Sequence, residues 1–166
     1  MSVYMIADLH LGHESMAVKR GFENADEMFE HIKERWNKVV DKRDLVYILG
    51  DVTMEKRGSY PLLDQLLGRK YVVLGNHDLR KDVDEMRKYV DGVAGLVKYK
   101  GVFLSHCPIH PMELDYRVSR NICGHIHEKV VYLNGMPDPR YICVSCEQVD
   151  YTPVEFNKLI NRKHIK

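Results

Sequence analysis

The stretch Tyr71–Asp78 reads YVVLGNHD, and it places three polar side chains directly behind an apolar run. The run Tyr71–Leu74 has the aromatic and β-branched composition typical of a buried strand. A polar turn is the simplest explanation, because Gly and Asn favour turns and Asp often caps helices. Chance, however, would give a G-N-H-D string only about 0.002 times in a chain of this composition. The side chains of Asn76, His77 and Asp78 are therefore expected to act with partners elsewhere in the chain.

Four other apolar runs end in the same way, on side chains that can bind a metal ion. They lead into Asp8 and His10, into Asp51, into His106, and into His125 and His127. In layered α/β folds the carboxyl ends of the strands form the ligand crevice, so these residues are expected to converge. Glycines at 50, 75 and 124 fit sharp turns at these strand ends, because glycine has permissive dihedral angles. A lone histidine behind a strand is usually an ordinary core or surface residue, but here five of nine histidines occupy such positions.

The residue types in this set point to hydrolysis with two metal ions. Carboxylate, imidazole and amide oxygen are ligands for divalent ions such as Mn, Fe, Zn or Ni. Seven candidate ligands are too many for one tetrahedral site, but they suit two neighbouring ions if one carboxylate bridges. Ions roughly 3.5–4 Å apart lower the pKa of a bound water and stabilise the attacking and leaving oxygens of a phosphoester.

Composition indicates an ordinary globular chain. The 166 residues are expected to form one domain over 1–166. Lys and Arg number 25 against 24 Asp and Glu, so no strong footprint for duplex nucleic acid is expected. The start has no signal-peptide pattern, and no apolar run is long enough to span a membrane. Four cysteines in or beside apolar runs fit a reducing compartment, and we expect a cytoplasmic protein with no membrane partner.

The alternation of apolar runs and helical patterns predicts an α/β layered fold. Strands are predicted at 2–7, 45–49, 71–74, 102–105, 129–133 and 141–145. Helices are predicted from a cap formed by Asn24 and Glu27 through an apolar stripe that ends at Val40, and over 59–68, 82–90 and 153–162. This order predicts parallel strands in the first half of the chain and largely antiparallel strands in the second.

The ordered series D-x-H (8–10), G-D (50–51), G-N-H-D (75–78), H (106) and G-H-x-H (124–127) resembles the calcineurin-like metallophosphoesterase superfamily. The tail YICVSCEQVDYTPVEF resembles the closing segment of its small stand-alone bacterial and phage members. The resemblance implies an α-β-β-α sandwich of two mixed β-sheets flanked by helices, with no cap domain. It also implies two divalent metal ions as cofactors, of which Mn is our first choice and Fe, Zn and Ni are alternatives.

The resemblance further implies a role for each residue of the series. It implies one metal held by Asp8, His10 and His127, a second held by Asn76, His106 and His125, and Asp51 as the bridging carboxylate. A hydroxide activated by both ions would attack the phosphorus atom. His77 would protonate the leaving oxygen as a general acid, and Asp78 would hold His77 in the required tautomer and orientation.

The chain departs from the phosphoprotein phosphatases of this superfamily. Met54 and Glu55 stand where those enzymes extend the second block with Asp-Arg, and Leu74 stands where they carry an arginine. Phosphoprotein substrates are therefore disfavoured, as is the repair-nuclease branch with its added capping and DNA-binding segments. We expect a phosphodiesterase that acts on a small phosphoester such as a nucleotide. The alternatives are a phosphomonoesterase of similar mechanism and a non-catalytic scaffold.

Three further side chains are candidates for substrate contact. His13 follows the D-x-H block, Arg80 follows the G-N-H-D block, and His110 lies close to His106 in sequence. Each of the three could equally belong to an ordinary surface turn.

Overall fold

The computed structural model describes residues 1–54, 57–116 and 118–161. Within these residues the chain forms eleven strands and four α-helices. The strands are β1 (Val3–Ile6), β2 (Leu45–Ile48), β3 (Arg69–Val73), β4 (Gly92–Ala94), β5 (Val97–Tyr99), β6 (Val102–Leu104), β7 (Arg120–Cys123), β8 (Tyr132–Leu133), β9 (Met136–Pro137), β10 (Tyr141–Cys143) and β11 (Val154–Glu155). The α-helices are α1 (Glu14–Lys19), α2 (Ala25–Val39), α3 (Val83–Met86) and α4 (Phe156–Ile160). Four short 3-10 helices cover Arg57–Gln65, Arg80–Asp82, Pro111–Leu114 and Cys146–Gln148.

The first sheet has the strand order β11–β1–β2–β3–β4. Strands β1 to β4 are parallel to one another, and β11 pairs with β1 in the antiparallel direction. A two-residue hairpin can join only antiparallel strands, whereas parallel strands need a long crossover connection. The connections between β1, β2, β3 and β4 are all long enough for such crossovers. As a result, the carboxyl ends of β1, β2 and β3 meet at one edge of the sheet.

The second sheet has the strand order β10–β7–β6–β5. Strand β6 pairs with β7 and β7 with β10 in the parallel direction, whereas β5 and β6 are antiparallel. The prediction of a largely antiparallel second half therefore fails for the pairing of β6, β7 and β10, whereas β5–β6, β8–β9 and the pairing of β11 with β1 are antiparallel as predicted. Parallel crossovers usually contain a clear helix, but those after β6 and β7 run through loops, one short 3-10 helix and the small β8–β9 hairpin. The predicted α/β class with two mixed sheets and flanking helices is confirmed.

The two sheets are joined at their carboxyl edges, beside the end of β1. Ala7 forms a parallel bridge with Ser145, directly after β10. The Ala7 N–H donates to the Val144 carbonyl at 2.9 Å, and the Cys146 N–H donates to the Ala7 carbonyl at 3.1 Å. Side chains that follow β1 in the first sheet therefore lie beside side chains that follow the strands of the second.

Helix α2 is the predicted element that the structure reproduces best. The Asn24 side chain accepts a hydrogen bond from the Glu27 N–H at 2.8 Å, as an N-cap should. The predicted apolar stripe is buried, including Met28 and Ile32, except for Val39, which is exposed. The buried Trp36 donates its indole N–H to the Leu67 carbonyl at 2.8 Å, which ties the helix to the loop before β3.

Other helices differ from prediction. The helix predicted over 59–68 is a 3-10 helix over Arg57–Gln65. The helix predicted over 82–90 consists of one short 3-10 turn and α3. The helix predicted over 153–162 begins only after β11, which pairs with β1, and position 162 lies outside the described residues. Helix α1 was not predicted, because its six residues offer too little periodicity.

The strands that sequence periodicity missed are all short. Strands β4, β5, β9 and β11 contain two or three residues each, and β7, which overlaps none of the predicted strand ranges, contains four. The strand predicted at 129–133 is reduced to β8.

Across the described residues, no helix combines the length and the apolar composition needed to cross a bilayer.

Candidate metal centre

The structure brings together the predicted ligands at the joined edges of the two sheets. Asp8, His10 and His127 form one group whose ligand atoms lie within 4.8 Å of one another. Asp8, Asp51 and His106 form a second such group, so the Asp8 carboxylate belongs to both. The remaining two predicted ligands extend the second group, since Asn76 Oδ1 lies 2.8 Å and His125 Nδ1 lies 3.1 Å from His106 Nε2. All seven predicted ligands thus occupy one cluster.

Backbone strain is concentrated in these same residues. Five of the seven have a positive φ, in the left-handed region that is costly for residues with a Cβ atom. They are Asp8 (59°), His10 (49°), Asp51 (52°), His125 (69°) and His127 (50°). Strain of this kind costs about 1–3 kcal/mol per residue and persists where the surroundings enforce it, which is typical of functional sites.

The three glycines of the cluster serve two different purposes. Gly50 has a φ of +85°, as predicted from its permissive dihedral angles. Gly75 and Gly124 do not have a positive φ, so that explanation is wrong for them. A Cβ atom on Gly75 would clash with Asp51 Oδ1, and one on Gly124 would come within 2.7 Å of Asp8 Oδ2. These two glycines instead allow the carboxylates to approach the neighbouring backbone.

His10 provides the test of whether the residues fit a metal ion. Its side chain is only 1% exposed, and neither ring nitrogen has a hydrogen-bond partner among the described residues. Burial, with a smaller contribution from Arg20, lowers the pKa of His10 to about 2, so the imidazole is neutral and keeps a lone pair. Burying a polar nitrogen without a hydrogen-bond partner costs free energy, and a divalent cation bound to a ring nitrogen of His10 would offset that cost. His10 therefore fits a metal ligand.

The Asp8 carboxylate lies at the centre of the cluster. Its Oδ2 accepts hydrogen bonds from the Ser145 hydroxyl at 2.6 Å and from the His125 N–H at 2.9 Å. Burial raises the pKa of Asp8, and the Ser145 hydrogen bond opposes that change. A cation at this position would favour the ionised form, in which the remaining lone pairs of Asp8 are available to it.

His106 is oriented with one nitrogen towards the other ligands. Its Nδ1 lies 2.9 Å from the Leu49 carbonyl, which can only accept, so Nδ1 carries the proton. Nε2 then faces Asn76 Oδ1, and it lies 3.4 Å from Asp51 Oδ2. These three acceptor atoms face one another without a proton between them, and a cation bound among them would satisfy all three.

Cys107 also lies in the second group, although no thiol ligand was predicted. Its Sγ and the ring nitrogens of His106 and His125 lie within 4.8 Å of one another. Cys107 and His125 are exposed, so this side of the cluster faces solvent. Partial burial, together with the charges of Asp51 and Asp8, raises the pKa of the Cys107 thiol.

His77 and Asp78 lie next to the predicted ligands. The His77 N–H donates to Asp51 Oδ1 at 3.0 Å, and its ring centroid lies 6.1 Å from that of His10. The buried Asp78 carboxylate accepts backbone N–H bonds from Asp51 and Gly75, both at 2.8 Å. Asp78 thus ties the loop after β2 to the loop after β3.

The candidate substrate contacts lie outside the cluster of ligands. His13 caps α1, since its Nδ1 accepts from the Met16 N–H at 2.9 Å. His110 caps the 3-10 helix at 111–114 in a similar way, and Arg80 is exposed at the start of the 3-10 helix after the G-N-H-D block. Their roles towards a substrate stay predictions.

Besides Cys107 and Ser145, sequence reasoning missed Glu147 and Arg20, which also contact the cluster. Glu147 Oε1 accepts from Arg20 Nε and lies 2.8 Å from His127 Nδ1. Burial alone would raise the pKa of Glu147, but the hydrogen bond to His127 and the charge of Arg20 lower it to about 2. Ser145 and Glu147 follow β10, a sixth strand end at the same edge, and that position was the available signal. No comparable signal marked Arg20.

Relatives of known sequence resemble the chain over nearly its whole length. The uncharacterized protein MJ1445 of Methanocaldococcus jannaschii is 29% identical over 95% of this chain and 89% of its own. The Gene 66 protein of Mycobacterium phage D29 is 30% identical over 96% of each chain.

Solved structures show the same fold. The crystal structure of AQ665 from Aquifex aeolicus, a protein of unknown function, has a TM-score of 0.70 at 25% identity, covering 96% of this chain and 97% of its own. The phosphopantetheinyl hydrolase PptH from Mycobacterium tuberculosis has a TM-score of 0.50 at 13% identity, covering 98% and 93%. At that identity the second likeness concerns the fold alone.

The calcineurin-like phosphoesterase family pattern matches residues 1–129, which include all seven candidate ligands together with His77 and Asp78. That match extends over most of the chain, and the two ligand groups at the sheet edges agree with it. This protein therefore belongs to the calcineurin-like phosphoesterase family, whose members hydrolyse phosphoesters with divalent metal ions.

Proposed function

We propose that this protein is a phosphodiesterase that uses two divalent metal ions to cleave nucleotide-sized substrates. The observation that carries the proposal is the pair of adjacent ligand groups that share the Asp8 carboxylate. Two ions bound there would lower the pKa of a water molecule and neutralise charge on the phosphoryl oxygens. Asp8, His10 and His127 would hold the first ion, and Asn76, His106 and His125 would hold the second. Asp51, which lies in one group with Asp8 and His106, would serve both ions as the bridging carboxylate.

His77 is the proposed general acid. Its backbone is held against Asp51, its ring lies beside the ring of His10, and its side chain is partly exposed to solvent. An imidazole N–H in that position can donate a proton to the leaving oxygen of an ester bound at the two groups.

Asp78 is the proposed orienting residue for His77. Its carboxylate fixes the N–H groups of Gly75 and Asp51, so it determines where the loop at 75–78 lies. His77 is part of that loop, and the position of its ring depends on it.

The open side of the cluster supports a small diester as substrate. Asn76, Cys107 and His125 are exposed, so a second ester arm could extend into solvent. The arginines that clamp phosphate in phosphoprotein phosphatases are missing from their places in the sequence. We propose a single domain over 1–166 without a cap, a cytoplasmic location and Mn²⁺ as the working metal. His13 and Arg80 are the proposed substrate contacts.

The test is Mn²⁺-dependent turnover of bis-p-nitrophenyl phosphate compared with p-nitrophenyl phosphate. A diesterase should turn over the first faster, and the reverse preference would indicate the phosphomonoesterase alternative. His77→Ala should lower kcat by about 10²–10⁴-fold on an ester with a poor leaving group such as an alkoxide. The loss should be smaller with nitrophenolate, which departs without a proton.

The control for this experiment is His31→Ala, a histidine substitution on helix α2 away from the cluster. It should leave turnover at the wild-type level on every ester. If His77→Ala cost the same with good and poor leaving groups, the general-acid role would be rejected. Tight metal uptake without turnover of any ester would instead indicate the scaffold alternative.

A further inference from the structure

We propose that Glu147 and Arg20 are positioning residues that set the tautomer and orientation of His127 for the first metal ion. This inference rests on the proposed function, because it assigns His127 to that ion. Glu147 lies in the 3-10 helix that follows β10, and Arg20 is the residue at the end of α1. Neither residue belongs to the sequence blocks that carry the candidate ligands.

The tautomer of His127 follows from its contact with Glu147. His127 Nδ1 lies 2.8 Å from Glu147 Oε1. The same oxygen accepts from Arg20 Nε at 2.8 Å, so Glu147 is an ionised acceptor and the proton of the imidazole lies on Nδ1. Nε2 of His127 is then left with its lone pair, as ligation requires. A carboxylate behind a ligating imidazole also raises the basicity of that ligand.

Arg20 connects this contact to the opposite side of the same metal group. Its side chain is only 2% exposed. Besides Glu147, its guanidinium donates to the carbonyls of Asp8 at 2.8 Å and Leu9 at 3.4 Å. Asp8 is itself a candidate ligand, and Leu9 directly precedes His10. One buried cation therefore holds the backbone of the 8–10 loop and, through Glu147, the ring of His127.

The neighbouring residues of the 145–148 segment reinforce the same group. Gln148 Nε2 donates to the His127 carbonyl at 2.9 Å, which fixes the backbone of a residue with a positive φ. Ser145 donates its hydroxyl to Asp8 Oδ2 at 2.6 Å. Consecutive parts of one segment thus hold the ring and the backbone of His127 and the carboxylate of Asp8.

Stability alone is a poor explanation for the Arg20–Glu147 pair. Buried ion pairs lose their hydration, and replacement by well-packed apolar residues is often neutral or stabilising. Glu147 Oε2, in addition, is buried and has no hydrogen-bond partner among the described residues. A better explanation for the pair is that it connects two segments that carry candidate ligands.

The experiment measures the tautomer of His127 and metal affinity separately. In ¹⁵N-histidine-labelled metal-free protein, at a pH high enough to keep the imidazole neutral, wild-type His127 should give the spectrum of the Nδ1–H tautomer. Glu147→Ala should abolish that preference and weaken one of two Mn²⁺ binding steps by about 10–100-fold, leaving the other unchanged. Glu147→Gln should lose less, because its amide oxygen still accepts from Arg20 and His127.

Glu34→Ala is the matched control. Glu34 is an exposed carboxylate on helix α2 that belongs to none of the ligand groups, so its removal changes the net charge by the same amount as Glu147→Ala. It should leave both the tautomer and the metal affinity at wild-type values. Should Glu147→Ala fail to fold, Glu147→Asp withdraws the acceptor by one methylene, and the same losses are expected from it.

Two results would overturn the inference. One is a neutral His127 imidazole in the wild-type protein that carries its proton on Nε2, and the other is unchanged metal affinity in a folded variant that has lost the Glu147 acceptor. Failure of the proposed function would look different, since wild-type protein would then bind no Mn²⁺, or bind it without turning over any ester, while the tautomer measurement in metal-free protein still gave its answer.

Discussion

Gly75 illustrates how a single residue controls the distance between a carboxylate and the backbone. A Cβ atom at this position would overlap Asp51 Oδ1 and come within 2.5 Å of the Asp51 N–H nitrogen. The Gly75 N–H also donates to Asp78, so a shift of this residue would disturb two carboxylates. No positive φ marks the position, and its importance comes only from this close approach.

Gly75→Ala should therefore displace Asp51 and the G-N-H-D loop. We expect it to lower the free energy of unfolding by about 1–3 kcal/mol, as overpacking does. It should also weaken Mn²⁺ binding, which calorimetric titration would measure. Gly95→Ala is the control, because a Cβ atom there meets nothing within 4 Å. Equal Mn²⁺ affinity in the two variants would contradict this account of Gly75.

At the scale of single residues, sequence alone could predict which candidate ligands converge but not the residues that contact them. Asp8, His10 and Asn76 were recognisable because each lies within three residues of the end of an apolar run. Glu147 follows a strand as well, but its contact with His127 depends on which strands become neighbours. Arg20 lies at the end of an unpredicted helix, and only the tertiary structure brings it to the 8–10 loop.

At the scale of elements, the connection between β9 and β10 depends on one buried carboxylate. Asp138 accepts from the Arg140 backbone N–H at 3.0 Å and from its guanidinium at 2.8 Å. The hydrogen bond from Arg140 lowers the pKa of Asp138 below its ordinary value of 3.8. Because the folded state favours the ionised form of Asp138, this residue stabilises the fold at pH values above its ordinary pKa of 3.8. The contribution is lost as the pH falls through the lower pKa of the folded state.

Asp138→Asn should therefore destabilise the protein at pH 7 and not at strongly acidic pH. We expect a loss of about 1 kcal/mol at pH 7, or about 2–4 °C in Tm, shrinking as the pH falls below about 4. Thermal unfolding followed by circular dichroism across this range would measure it. Asp115→Asn is the control, since Asp115 binds the same arginine from a side chain that is 55% exposed. A loss independent of pH would argue against the ionised Asp138–Arg140 contact.

The elements differ in how far sequence could predict them, and the reason is the length of the periodic signal. Helix α2 offered fifteen residues with a cap and a continuous apolar stripe. Strands β4, β5 and β11 offered two or three residues each, too few for an alternation to be visible. The parallel pairing of β6, β7 and β10 was hidden because no long helix marks their crossovers.

At the scale of the whole molecule, the two sheets meet where buried carboxylates and strained backbone lie together. Asp8 and Asp51 are both buried at this junction, each with a positive φ. Burial raises the pKa of Asp8, so the metal-free fold holds a carboxylate at a position that disfavours its charge. The convergence of ligands was predictable, since strand ends share an edge. Which strand of one sheet adjoins which strand of the other was not.

A cation that binds only the folded state should therefore stabilise the entire molecule. At a free Mn²⁺ concentration 100 times the dissociation constant, the gain for one site is about 2.7 kcal/mol. For a chain of this size that gain corresponds to an increase in Tm of about 5–10 °C, which a thermal scan with and without a chelator would measure. Asp51→Asn should lose much of the increase, whereas His31→Ala should keep all of it. Because the strained residues and buried carboxylates lie where β1 and β10 join the two sheets, the ion should raise the midpoint of one cooperative transition. A separate metal-dependent transition would mean that the junction unfolds independently of the sheets, and an unchanged Tm would mean that the cluster does not hold a metal ion.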